Sequence, residues 1–181
     1  MLFQIHINLT EEDYVAFNHF HSFDSIHGKK MIRKTRITFI AVMALLMALV
    51  VFVLGWTTFS ITYATVLGLF IVLYMLLFKK LVKRNIKVQI KRLKKIGKLP
   101  FDPESTIELW EDKIVEITPS KRTEQSYNIF ERICIVEDRY IYLYYSSVGA
   151  YILPMAQVKA QANQADLLSF LSGKCKTMEY Y

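Results

Sequence analysis

The middle of this chain has no acid. From Ser25 to Phe101 there are fifteen Lys or Arg and not one Asp or Glu. Residues 1–24 carry four acids and no Lys or Arg, and residues 102–181 carry twelve acids and eight bases. A basic stretch without acids, wrapped around apolar blocks, points to a membrane surface rather than to nucleic acid. Glycine is scarce, six residues in 181, which leaves little room for a glycine-rich phosphate cradle, and no P-loop spacing occurs. The two cysteines, Cys134 and Cys175, are too far apart for a metal or redox spacing, so reduced thiols are expected. Cys134 lies in the run Ile133-Cys134-Ile135-Val136, which suits a buried apolar role. No Ser-His-Asp constellation is visible. His19 and His21 lie two apart on an expected helix and so point in different directions; with His6 and His27 they read as surface or interface residues, not a shared metal site. Glu108, Glu111, Asp112, Glu116, Glu137 and Asp138 fall on strand faces and turns and read as solvated rather than as an acid/base pair. No catalytic residue, metal ligand or cofactor is expected, and the chain reads as non-enzymatic.

What the chain has in quantity is apolar residues, 53% of the total beside a net charge of +7. They gather in two blocks, Ile37–Trp56 and Thr58–Phe78. About 20 apolar residues suffice to cross ~30 Å of hydrocarbon as a helix. Twelve residues of the first block are Leu, Ile, Phe or Val, each favouring insertion by roughly 0.3–0.6 kcal/mol at the helix centre. The second block is interrupted by Ser60, Thr62, Tyr63, Thr65 and Tyr74, whose hydroxyls can bond back to their own helix. A cleaved signal peptide is not expected, since the first block follows 36 residues that already pattern as structure and no small-residue cleavage site comes after it. Neither span contains a charge, so the usual mark of a transporter or proton path is missing.

Cations crowd the outer flanks of the two blocks and are absent from the link Gly55-Trp56-Thr57-Thr58. The positive-inside rule then places both termini in the cytoplasm, with Trp56 as an interfacial anchor on the far side. A link this short forces an antiparallel hairpin. Ala44 and Ala48 on one helix and Ala64 and Gly68 on the other are each four apart and level with one another, so close helix contact is expected there. After the second span, Val82, Ile86, Ile90, Leu93 and Ile96 recur at helical spacing among ten cations in twenty residues. The helix should continue into the cytoplasm. Its apolar stripe either dips into the interface or packs on the cytoplasmic domain. The density of charge favours contact of Lys79, Lys80, Lys83, Arg84, Lys87, Lys91, Arg92, Lys94 and Lys95 with anionic headgroups.

Past Pro100-Phe101-Asp102-Pro103 the pattern changes to short strands: Thr106–Trp110, Lys113–Thr118, Arg122–Tyr127, Phe130–Val136, Tyr140–Tyr145 and Ala150–Leu153. A helix follows, with Asn163 as N-cap and Leu167, Leu168, Phe170 and Leu171 on its apolar face. Leu2–Leu9 also alternates as a strand, and Thr10 caps a helix whose first turn holds Glu11, Glu12 and Asp13. A lone strand is unstable in water, so this one should pair with the C-terminal sheet. The domains expected are 1–36, a cytoplasmic strand and helix; 37–78, the transmembrane hairpin with spans 37–56 and 58–78; 79–99, the basic juxtamembrane helix; and 100–181, a cytoplasmic β-domain. The fold class is α+β: a two-helix hairpin plus a small sandwich or open barrel closed by a C-terminal helix. Tyr140, Tyr142 and Tyr144 share one strand face, which either covers a half-buried sheet or offers an aromatic surface to a protein partner.

The opening FQIHINLTEEDYVAF, the two spans, TIELWEDKIVEI and YILPMAQV together resemble the bacterial YcxB-like proteins. That resemblance implies a bacterial cell-membrane location and a pleckstrin-homology-like β-domain at the C-terminus, and brings no catalytic residues. The expected function is a multi-pass membrane protein presenting a binding module to a protein partner, a second copy of itself or anionic lipid. The alternative is an immunity or envelope-stress protein that protects against a membrane-active peptide or toxin.

Overall fold

Alternation of Phe3, Ile5 and Ile7 with polar residues makes strand β1 (Phe3–Asn8) in the computed structural model, which describes all 181 residues. The chain then turns at Thr10, whose hydroxyl accepts from the Asp13 amide at 3.2 Å while the Asp13 carboxylate accepts from the Thr10 amide at 2.8 Å. This reciprocal cap starts helix α1 (Glu11–His19). A π-helical turn (Phe20–Asp24) leads to α2 (Ile26–Leu54) and α3 (Thr58–Lys95). Six strands follow: β2 (Glu104–Leu109), β3 (Lys113–Ile117), β4 (Arg122–Ser126), β5 (Arg132–Val136), β6 (Tyr140–Tyr144) and β7 (Ala150–Pro154). Helices α4 (Met155–Gln161) and α5 (Gln164–Ser172) and a short strand β8 (Met178–Tyr180) close the chain. The fold is α+β, two long apolar helices and then a β-rich region with two sheets and a C-terminal helix. It divides into two compact units, one of Met1–Asn18 with Ile90–Tyr181 and one of His19–Gln89.

In the first unit, the strand order is β1-β2-β3-β4 in one sheet and β7-β6-β5-β8 in the other, antiparallel except for β5 with β8. β1 pairs with β2 in the register Ile5↔Ile107 and Ile7↔Ser105, so the N-terminal strand completes the first sheet as expected. The inward faces meet in a core that includes Ile5, Ile107, Leu109, Ile114, Ile133, Ile141, Leu143 and Leu153, with Leu167 and Leu171 of α5 packed on it. Asn163 caps α5 by accepting from the Ala165 amide at 3.0 Å. Helix α4 and strand β8 lie outside the expected pattern. α4 covers the outer edge of β1 with two side chains one turn apart. The Gln161 amide accepts from the His6 N–H and donates to the His6 carbonyl, both at 2.8 Å. Gln157 does the same for Asn8 at 2.8 and 2.9 Å. Each glutamine thus takes the place of a neighbouring strand's peptide and blunts an edge that would otherwise invite pairing with another chain.

In the second unit, α2 starts where Ser25 accepts from the Gly28 amide at 3.0 Å. Gly28 is buried, and a Cβ there would stand 2.0 Å from the His21 carbonyl oxygen, so only glycine lets the π-turn and the helix approach so closely. Gly55, at φ +66°, ends α2. Thr57 and Ser60 then cap α3 reciprocally, the Ser60 hydroxyl accepting from the Thr57 amide at 2.9 Å and donating to the Gly55 carbonyl at 2.8 Å. Ser60, which the sequence presents as an interruption of the apolar block, is therefore the residue that closes the turn. The close helix contact expected at the small residues is not made. Ala44, Ala48 and Gly68 are exposed, Ala64 is only half-buried, and a Cβ at Gly68 would meet nothing within 4 Å. The helices meet instead where Phe39 of α2 stacks on Tyr74 of α3 at 4.3 Å, with Phe78, one turn along α3, edge-on to Tyr74 at 5.4 Å. Rings of that size hold backbones further apart than a small-residue seam would.

Candidate functional site

Lys and Arg on a helix expose their charged heads while their stems and the apolar stripe turn inward. α3 follows this rule past the apolar block. All nine cations predicted to meet headgroups, from Lys79 to Lys95, are exposed, whereas Val82, Ile86 and Leu93 are half-buried and Ile90 is buried. Lys94 pairs with Glu11 at 2.5 Å across an exposed surface, a contact worth at most about 1 kcal/mol.

The tyrosine face proves to be interior. Tyr142 and Tyr144 are 1% and 0% exposed, because Phe17 of α1 lies on them with ring centroids at 5.2 and 5.9 Å. Arg132 stacks on Tyr144 at 4.1 Å. Tyr140, half-buried, donates its hydroxyl to Asp13 at 2.8 Å; burial and that bond push its phenol up to about 12. The predicted partner surface is thus covered by the chain's own helix. Phe17 shows why: the outer face of β6 is aromatic, and an amphipathic helix removes it from water. Beneath it, burial and the nearby Glu179 push the Cys134 thiol up to about 12, the state of a structural rather than a reactive cysteine.

Across the sandwich, on the side where β7 has a strand neighbour only in β6, the two sheets part to leave a cleft of about 480 Å³. The inner face of the first sheet changes there from Ile to Ser105, Glu116, Thr123 and Gln125. Ala150, Tyr151 and Ile152 of β7 form the opposite wall, and Phe101, stacked on Tyr14 at 4.9 Å, and Tyr145 stand at the mouth. The Glu116 side chain is 19% exposed, with the Lys121 ammonium 3.9 Å away. Burial raises its carboxyl above the ordinary range, Lys121 pulls it back, and Asp102 adds to the rise. The Tyr151 hydroxyl donates to Gln125 at 2.9 Å and joins the two walls. Residues 111–171 match the family model of the YcxB-like proteins. This is the family the sequence motifs resemble. No curated protein and no solved structure matches the chain.

The matched segment runs from the turn before β3 almost to the end of α5. It includes Glu116, Lys121, Thr123, Gln125, Tyr145 and Tyr151, and so supplies most of the cleft's polar lining. The sequence pattern alone puts Glu116 among solvated acids. In Lys113-Ile114-Val115-Glu116-Ile117 apolar residues occupy both faces, and only the register Ile107↔Glu116↔Thr123 shows that the carboxyl points inward. Chemically, the cleft offers a partly desolvated carboxyl, a flanking ammonium, neutral hydrogen-bonding groups and aromatic walls. That set suits recognition of a polar, extended segment lying along β7.

Proposed function

We propose that this is a membrane-anchored, non-enzymatic binding protein. In this reading α2 and α3 cross the membrane as a hairpin, and both termini lie on the cation-rich, cytoplasmic side. The exposed cations of α3 rest against anionic headgroups, and the cleft receives a segment of a protein partner. One observation carries the reading. The helices are 29 and 38 residues long, and their most apolar windows, of mean hydropathy 3.1 and 2.3, have no buried residue. A helix that apolar in the core of a water-soluble protein would be covered by its own chain, and leaving it bare in water would cost about 25 cal/mol per Å². Support for a pleckstrin-homology-like plan comes from four antiparallel strands facing β7-β6-β5 and the helices after β7, with the hairpin set between the first and second strands; the short parallel strand β8 is an addition to that plan.

Trypsin tests the lipid contact, since its cleavage sites are the cations themselves. In vesicles containing anionic phospholipid, the full-length protein should be cut within 79–98 more slowly than in zwitterionic vesicles. The protection should disappear in ~1 M salt, where screening extends only ~3 Å. Equal cleavage in the two kinds of vesicle would remove headgroup contact from the account.

A further inference from the structure

A second opening lies within the hairpin unit, where the basic flank of α2 meets the first turns of its apolar block. It is a crevice of about 460 Å³ between the π-turn, α2 and α3. Four cations border it, Lys29, Arg33 and Arg36 from α2 and Lys79 from α3, and no acid does. None of the four is in an ion pair. Residues 25–101 contain no Asp or Glu to neutralise them, and Asp24, at the end of the π-turn, faces His19 at 3.1 Å instead. Arg36 is the most constrained: its guanidinium lies over the Phe78 ring at 5.3 Å, and its Nε is buried without a hydrogen-bond partner. Lys79 is held over Phe23 at 5.8 Å. The rings thus hold two of the positive charges in place and leave them uncompensated. A charge withdrawn from water costs free energy unless an opposite charge meets it. Below the cations the wall becomes apolar through Ile37, Ile40 and Met75.

We propose that this crevice holds one anionic phospholipid, its phosphate against Arg36 and Arg33 and one acyl chain along Ile37, Ile40 and Met75. The site rests on the membrane-spanning reading given above. Cations over an apolar wall are the complement of a phosphodiester joined to hydrocarbon, and a free phosphate would leave that wall without a partner. Guanidinium is also the group best shaped for a phosphate, which it can meet through two parallel N–H donors. The eight cations further along α3, from Lys80 to Lys95, are exposed and do not border the crevice, so they serve a diffuse surface attraction, whereas the crevice selects a single molecule.

Native mass spectrometry of the detergent-purified full-length protein tests this, with phosphatidylglycerol and phosphatidylcholine as the added lipids. One phosphatidylglycerol should remain bound where phosphatidylcholine is lost. Arg33→Gln with Arg36→Gln should weaken that binding about ten-fold or more, since each cation near an anionic headgroup contributes ~1 kcal/mol. Lys30→Gln with Lys34→Gln, the same charge change on exposed positions of α2 outside the crevice, should leave it nearly unaltered. Equal losses in the two double variants would overturn the site in favour of diffuse attraction. Displacement of the lipid by excess inorganic phosphate would overturn the lipid assignment. Alkaline carbonate extraction separates this from the reading beneath it. Wild-type protein released by carbonate overturns the membrane span and the lipid site together, while retained protein with no lipid preference overturns the lipid site alone.

Discussion

Phe17 and Glu116 show how single side chains decide what the β-rich unit exposes. Phe17 is 5% exposed and covers the tyrosine face of β6. Phe17→Ala should therefore cost about 3–5 kcal/mol, as removal of a buried ring does. Chemical denaturation of the full-length protein in detergent would show this as a lowered midpoint, and an unchanged midpoint would mean that α1 does not seal the sheet. Glu116 makes a pH-dependent contribution. Its folded-state carboxyl titrates above its unfolded value because burial penalises the charged form. The folded state is therefore free of that cost below the unfolded value and bears it increasingly as pH rises through the folded one. Glu116→Gln should stabilise the protein at about pH 7 and make no difference at about pH 4, read as the difference between two melting curves. A variant less stable than wild type at neutral pH would show that Lys121 outweighs desolvation.

At the scale of elements, two glycines in the hairpin unit make opposite predictions. A Cβ at Gly28 would meet carbonyl oxygens at 2.0 and 2.6 Å, and one at Gly68 nothing at all. Gly28→Ala should destabilise by about 3 kcal/mol, at the upper end of overpacking costs. Gly68→Ala should be neutral or stabilising by up to about 1 kcal/mol, since alanine is the better helix former. Equal melting temperatures for the two variants would contradict the placement of the π-turn against α2. Seven of the eight strands, the two long helices and the caps at Thr10 and Asn163 are legible in the sequence, because period-two and period-3.6 patterns and capping residues act locally. What escaped was set by partners remote in sequence. α4 has two glutamines whose role depends on β1, about 150 residues away. β8 is three residues pairing parallel with β5. The aromatic wedge of Phe39, Tyr74 and Phe78 replaces the small-residue seam only once the helices are placed.

For the whole molecule, the consequence is that a β-rich unit is assembled from both sides of the apolar hairpin. β1 and α1 precede the two long helices and every other strand follows them, yet β1 completes the first sheet and α1 covers the second. The sequence made this readable by one argument, that a strand alone needs a sheet, and left the cleft unread because no local pattern marks it. If the hairpin spans a membrane, both pieces must lie on one side of it. Cysteine accessibility in intact bacterial cells tests that claim most directly, using Ala160→Cys, at an exposed position on α4, in a Cys175→Ser background. The remaining thiol, Cys134, is buried and pushed up to about 12, so it contributes little labelling of its own. The account predicts that a membrane-impermeant maleimide labels Ala160→Cys only after permeabilisation and labels Trp56→Cys, in the link between the helices, without it. Labelling of Ala160→Cys in intact cells would contradict it.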